Sequence, residues 1–408
     1  MEICLDLPKE RSITSRRAHA ANVEPLWEPP LRIWHIGASS SPRSVNGVNT
    51  VIWMLASSQR SLGHRVHIPL LELPIESNSN DSNPSRSMAD GIHRHVLPAT
   101  KLRFHRERLR ELLTAHPPDV VHIHSAFIPR HTLLGRLLES EGIPYVLTPH
   151  GALLPQVLER NRPKKAIYSR LLERTFVRKA AAVTGLTDAE LRSIHHYAGR
   201  PLSNAHVIFN PIDVDNVAGT AWNYRGGRPS LLFLGRFDVE VKGLDRLVEI
   251  AKFLPEADFH LYGRAQDRRG RALPRTAPGN MYFHGPVFGR AKAAVFANAT
   301  LYVQPSRWEA FPLSATEAMA LGVPCAMSEN LHLAEMLSED DSVLAIPAQP
   351  EAAAVLIRNV LTDRERLNNL SRLGQEFVRS NCSPRAVARQ YLAVYRDALL
   401  PPKKTDLT

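Results

Sequence analysis

Cysteine is scarce in this chain. Cys4, Cys325 and Cys382 are scattered over 408 residues, with no Cys-x-x-Cys pair and no Cys/His cluster. That argues against a disulfide framework and a structural zinc site, and it points to a reducing compartment. Long apolar runs are also missing. No uncharged stretch is long enough to span a bilayer. Glu2, Asp6, Lys9 and Glu10 break up the N-terminus, so no secretory signal is expected. The expected location is cytoplasmic, with peripheral contact on the inner face of the membrane as an option. Acidic charge is in deficit: 40 Asp+Glu face 51 Lys+Arg, a net charge of +11. Most of the excess lies in the first half. Asn161 to Ala180 holds Arg162, Lys164, Lys165, Arg170, Arg174, Arg178 and Lys179 against one acid, Glu173, and a second cluster runs from Lys101 to Arg110. Ile167, Tyr168, Leu171, Leu172 and Phe176 interleave with the first cluster. It reads either as a solvated helix face or as an amphipathic surface meeting anionic lipid through Arg162, Lys164 and Lys165. No nucleic-acid recognition module accompanies the charge, and nucleic acid is not an expected partner.

What the chain does have is alternation. Residues 1–30 show no sustained periodicity and read as a disordered extension. From Leu31-Arg32-Ile33-Trp34-His35-Ile36 onward, short apolar strands alternate with helical segments as far as His206-Val207-Ile208-Phe209. The pattern breaks over 211–229 and resumes at Ser230-Leu231-Leu232-Phe233-Leu234. Strands separated by helices imply right-handed βαβ units and parallel sheets. The expected fold class is α/β: two tandem Rossmann-like domains, 31–212 and 213–382, facing a central cleft, followed by a terminal helix and tail over 383–408.

Two segments of the second domain carry the chemistry. In Ser306-Arg307-Trp308-Glu309-Ala310-Phe311-Pro312-Leu313-Ser314-Ala315-Thr316-Glu317, a strand-like run precedes Glu309 and a helix signal follows Pro312, with Gly322 as its stop. Glu309 is therefore placed on a loop at a strand's C-terminal end and Glu317 about one turn into the next helix. In an open parallel sheet, ligands bind there. In Leu234-Gly235-Arg236-Phe237-Asp238-Val239-Glu240-Val241-Lys242-Gly243, Arg236 and Lys242 flank a helix start, where backbone amides also favour anions.

Together these motifs resemble family four of the retaining nucleotide-sugar glycosyltransferases, of GT-B fold, with its E-x(7)-E signature and its arginine–lysine pair. The resemblance covers roughly residues 31–400. It implies a nucleotide-diphosphate sugar as donor and a glycan or lipid-linked acceptor. Arg236 and Lys242 would hold the diphosphate, Glu317 the ribose hydroxyls and Glu309 the transferred sugar, with the backbone of Ala310, Phe311, Pro312 and Leu313 near the donor. No cofactor and no metal are implied, because two fixed cations can offset the charge that grows on the leaving diphosphate. Retention by front-face substitution needs no enzymic nucleophile, so Glu309 is not assigned that role.

The first domain carries softer signals. Asn46-Gly47-Val48 stands where the family has a glycine-rich loop, which puts Gly47 beside the donor and Asn46 on the acceptor side. Thr148-Pro149-His150-Gly151 resembles the family's Thr-x-His-Gly, whose histidine reaches the donor sugar. His124, at another strand end, either lines the acceptor side or is a satisfied polar residue at the sheet edge. The family's returning helix implies that 383–400 crosses back onto the first domain. Ala310, Asn46 and Pro211 depart from the family pattern, so the second reading is a non-catalytic scaffold or peripheral membrane protein that keeps the fold. A related sugar phosphorylase would need pyridoxal phosphate on a lysine, and no motif for it is present.

Overall fold

A computed structural model describes residues 29–38, 47–72, 91–100, 104–159, 166–213, 222 and 226–400. Asn46, Arg162, Lys164 and Lys165 lie outside these residues, as does the expected extension over 1–30 apart from Pro29 and Pro30.

Two parallel sheets organise the chain. The first has seven strands: β1 (Arg32–Ile36), β2 (Arg65–Glu72), β3 (His93–Pro98), β4 (Val120–His124), β5 (Tyr145–Thr148), β6 (Ala182–Gly185) and β7 (Ala205–Val207). Their order is β3-β2-β1-β4-β5-β6-β7. The second has six: β8 (Ser230–Leu234), β9 (Asp258–Tyr262), β10 (Met281–His284), β11 (Leu301–Gln304), β12 (Cys325–Ser328) and β13 (Leu344–Ile346), in the order β10-β9-β8-β11-β12-β13. Every strand pairing within the two sheets is parallel. Both orders reverse direction once, between β1 and β4 and between β8 and β11. The C-terminal ends of these strand pairs are the switch points where such sheets bind ligands.

Central strands are mainly apolar because both of their faces are covered, with His35, His122, His124 and Gln304 as buried polar exceptions. β4 and β11 are buried at every position. The helix Pro384–Leu399 closes the first domain, as the resemblance implied. Its Val387, Tyr391 and Tyr395, four residues apart, form one buried face with Ala388 and Leu392. That face joins Ile33, Leu55, Val120, Val146 and Ala182 in one core. Burying each large side chain there contributes roughly 1.5–3 kcal/mol. The outgoing and returning crossings between the domains also pair, Ile212 N–H donating to Cys382 O at 2.8 Å.

Two local features differ from the sequence reading. The first helix begins at Gly47 rather than after a glycine turn. The basic helix is described from residue 166 and contains a π turn, Ser169–Glu173, which leads into Arg174–Lys179. Glu173, the one acid of that segment, is fully buried. It accepts from Phe127 N–H at 2.7 Å and from Thr132 Oγ1 at 2.9 Å. Burial raises its pKa, and these hydrogen bonds only partly offset the rise.

Candidate active site

The site is built at the β8/β11 switch point. β8 leaves through Gly235 and the exposed Arg236 into the short helix Val239–Lys242, which Asp238 caps by accepting from Val241 N–H. Gly243 follows at φ +63°, and a Cβ there would stand 2.1 Å from Pro305 O. Only glycine allows this close approach to the loop that leaves β11. The two loops are pinned a second time by Arg307. Its guanidinium forks onto Asp245 at 2.6 and 2.8 Å and also donates to the carbonyls of Val239 and Glu240. Burial alone would raise the Asp245 pKa, but the Arg307 hydrogen bonds and charge hold it below its usual value.

This pinning sets Lys242 Nζ 2.7 Å from Glu309 Oε2, with both side chains largely buried. The other oxygen, Oε1, accepts from Gln304 Nε2 and Ser306 Oγ, each at 2.5 Å. Tyr302 Oη supports Gln304, 2.8 Å from its Oε1. The carboxylate is thus fixed on both oxygens and paired with a cation. Such a group is suited to orienting a ligand.

Pro312, at φ −80° and ψ 80°, closes an inverse γ-turn in which Leu313 N–H donates to Phe311 O at 3.0 Å. The amides of Ala310 and Phe311 have no partner among the described residues. The Phe311 ring itself is buried against Phe209, so only its backbone faces the cleft. The helix Leu313–Ala320 follows and ends at Gly322, φ +81°. Glu317 is its fifth residue, and its Oε2 pairs with Lys292 Nζ at 2.5 Å.

The first domain meets this lip directly. A Cβ on Gly47 would lie 2.7 Å from Leu313 Cδ1, and one on Gly151 would lie 2.7 Å from Ala310 Cβ. The methyl by which Ala310 departs from the family pattern is therefore accommodated by the hydrogen on Gly151. The preceding residue, His150, has φ +52°, a left-handed conformation that L-residues seldom adopt and that must be imposed. Glu190 imposes it. Fully buried, it accepts from Gly151 N–H at 2.5 Å and from Leu186 N–H at 2.7 Å. Burial raises its pKa despite those two bonds.

The structure brings together Lys242, Glu309 and the Ala310–Leu313 lip, and sets Gly47 and His150-Gly151 against that lip. It does not place His124 on an acceptor surface. His124 is 1% exposed, and its Nδ1 lies 3.0 Å from His150 Nε2. Its position on a strand with both faces covered explains the burial. Lys292, Glu190, Gln304 and Tyr302 were not legible as site residues. Thr187-x-x-Glu190 does carry a helix-start signature, with Thr187 capping Glu190 N–H, although its glutamate turns to the His150 loop instead of to its own helix. The fold also gathers His35, His122 and His124, whose ring nitrogens lie within 4.8 Å of one another.

Comparison with known proteins settles the family. Residues 46–211 match the Glycosyl transferase 4-like domain, and residues 228–363 match Glycosyl transferases group 1. The chain belongs to the group 1 glycosyltransferases. A GDP-mannose-dependent alpha-mannosyltransferase of Mycolicibacterium smegmatis is 26% identical over 72% of this chain and 78% of its own length. Sucrose-phosphate synthase from Thermosynechococcus elongatus shares the fold at TM-score 0.72 and 20% identity, over 90% of this transferase and 98% of that chain. Anabaena HepE in complex with UDP and glucose does so at TM-score 0.66 and 16% identity, over 90% and 99%. Matches to two other curated relatives span 63% and 47% of their lengths. Glu309, Glu317, Arg236 and Lys242 fall inside 228–363, and Gly47, His124 and His150 fall inside 46–211.

Proposed function

We propose that this protein is a retaining glycosyltransferase that moves a hexose from a nucleotide-diphosphate sugar to a glycan or lipid-linked acceptor in glycoconjugate or polysaccharide biosynthesis. The observation that carries the reading is the Lys242–Glu309 pair, pinned between two strand ends beside the exposed Arg236. An arriving diphosphate takes Arg236 and Lys242 as its cations. Glu309 is then left, still held by Gln304 and Ser306, to meet the sugar's hydroxyls. Glu317 takes the ribose, exchanging its bond to Lys292 for two hydroxyl donors, and the open amides at Ala310 and Phe311 face the donor. His150 approaches from the other domain. The leaving-group charge is offset by Arg236 and Lys242 without a resident metal, and closure of the domains excludes water.

Isothermal titration with a panel of nucleoside diphosphates and nucleotide sugars tests the donor site. One nucleotide class should bind, and Glu317→Ala should weaken it about tenfold or more, the scale of a lost charge-assisted hydrogen bond. No binding across the panel, or unchanged binding in the variant, would overturn the assignment.

The acceptor side is proposed to work on the inner face of a membrane in a reducing compartment. Ile167 and Leu171 support this. Each is 65% exposed on the basic helix, a placement suited to insertion among anionic headgroups. Among the described residues no helix is long and apolar enough to cross a membrane. In a flotation assay the protein should rise with phosphatidylglycerol vesicles, and Ile167→Ser/Leu171→Ser should abolish the rise. Equal flotation of the variant would show that this face is not the contact.

A further inference from the structure

A continuous line of polar side chains runs from the cleft into the core of the first domain. His150 Nε2 lies 3.0 Å from His124 Nδ1, His124 Nε2 lies 3.1 Å from His35 Nδ1, and His35 Nε2 lies 2.8 Å from Gln59 Oε1. Gln59 Nε2 donates to Tyr395 Oη at 3.2 Å. Tyr395 Oη lies 2.7 Å from His122 Nδ1, and His122 Nε2 lies 2.7 Å from Thr148 Oγ1, which meets Thr184 Oγ1. His35, Gln59, His122, His124 and Tyr395 are at most 1% exposed, so they are withdrawn from bulk water.

The Gln59 amide gives this line a direction. Its nitrogen donates to Tyr395, so its oxygen must accept, and His35 must carry its proton on Nε2. A neutral imidazole then offers only a lone pair at Nδ1, so His124 donates from Nε2 and accepts at Nδ1. His150 in turn donates from Nε2. On the other side, Tyr395 has used a lone pair to accept from Gln59. It donates its own proton to His122 Nδ1, leaving Nε2–H of His122 to donate to Thr148. Every member is satisfied once, in one direction. Reversing His35 or His124 alone would leave a buried pair of donors or a buried pair of acceptors facing each other, and only turning the Gln59 amide over would reverse the line as a whole. The far end is His150 Nδ1, which has no protein partner among the described residues, on a half-buried residue.

We infer that the chain fixes the tautomer of His150, with Nε2 protonated and Nδ1 presented to the cleft as a bare acceptor, and that His124, His35, Gln59 and Tyr395 are positioning residues that set it. His150 therefore takes a ligand hydroxyl, which can donate to it, and not a phosphate or carboxylate, which cannot. The returning helix Pro384–Leu399 supplies Tyr395 and so takes part in defining the cleft's chemistry. The identity of the hydroxyl as one of the sugar's rests on the transferase reading. The tautomer does not.

The test is nitrogen NMR of the full chain labelled with ¹⁵N-histidine, with His150 assigned by its loss in His150→Asn. His150 should show a protonated Nε2 and an unprotonated Nδ1. Gln59→Leu removes the acceptor and should leave His150 in mixed tautomers, while Gln59→Glu, which still accepts from His35, should restore the single form. In donor hydrolysis, Gln59→Leu should lower kcat about tenfold with KM for the nucleotide sugar nearly unchanged, the loss of about one hydrogen bond, and Gln59→Glu should recover it. Wild-type protein with the proton on Nδ1 overturns the inference even if nucleotide binds. So does a stoichiometric zinc ion found on His35, His122 and His124 by metal analysis, since a metal would take the lone pairs that the line uses. If Gln59→Leu does not fold, the wild-type spectrum and Tyr395→Phe decide the matter. Failure of all nucleotide binding with the expected tautomer intact would instead sink the transferase reading alone.

Discussion

Lys242→Ala is expected to lower kcat/KM for nucleotide-diphosphate release from the donor by about 10²–10³-fold, the range seen when one preorganised contact to developing charge is removed. The loss should fall mainly on kcat. Negative charge on the diphosphate grows as the sugar–phosphate bond breaks, so a fixed cation stabilises the transition state more than the bound donor. The unliganded pairing sharpens the expectation. Lys242 is 2.7 Å from Glu309 and held there by the Gly243–Pro305 contact and the Arg307–Asp245 fork, so its position is set before any ligand arrives. Glu309 keeps Gln304 and Ser306 in the variant. The carboxylate then stays buried without its cation, so folding should lose about 1–3 kcal/mol, moderated by those two hydrogen bonds. A cycle with Glu309→Gln separates the two functions. If Lys242 serves only to hold Glu309, the double variant will be no worse than either single one. If it binds the diphosphate, the losses will add. Unchanged kcat/KM in Lys242→Ala would remove the lysine from the proposed chemistry.

The parts of this architecture legible in the sequence were those written in short-range pattern. Mainly apolar runs of four to six residues separated by helical segments located the strands, because a strand buried on both faces is built mostly from apolar side chains. Glu309, Glu317, Arg236 and Lys242 were legible because each lies within a few residues of a strand end or a helix start. What was not legible depends on contacts between residues far apart in sequence. Lys292 reaches Glu317 across 25 residues, Glu190 reaches Gly151 across 39, and Gln59 reaches Tyr395 across 336. None of these carries a local periodicity. His124 shows the limit from the other side. Its place at a strand end suggested the cleft, yet it is buried among His35, His122 and His150, and it reaches the site only through His150. The π turn that sends Glu173 inward is likewise a matter of phase within a helix, and composition does not encode it.

Acidification from pH 7 to about pH 5 is expected to destabilise the first domain by several kcal/mol. Burial pushes His35 and His150 down to about 4 and His67 and His131 to about 3, and it holds His122 and His124 well below the ordinary histidine value. Neighbouring histidines add to the lowering at His67, His122 and His124, since each would repel a charge on the next. In the folded chain these rings stay neutral, while in the unfolded chain they titrate near 6.5. Above that value both states are neutral and the full stability is present. As pH falls below about 6.5 the unfolded chain takes up protons that the folded chain refuses, and stability drops until the folded pKa values of about 4 and about 3 are reached. Each fully buried histidine then loses about 1–2 kcal/mol between pH 7 and pH 5. Glu173 and Glu190 act in the opposite sense. Their raised pKa values let the folded state bind protons first as pH falls, and two such groups do not cancel the larger set of histidines. A total loss of this size is a large fraction of the ~5–15 kcal/mol that holds a domain folded. The melting temperature followed from pH 8 to pH 5 should be nearly flat above pH 7 and fall steeply below 6.5. The slope should be reduced in His35→Gln, which removes one titrating ring. A melting temperature level down to pH 5 would mean that these histidines are not held neutral in the core, and the hydrogen-bonded line from His150 to Tyr395 would lose its footing with them.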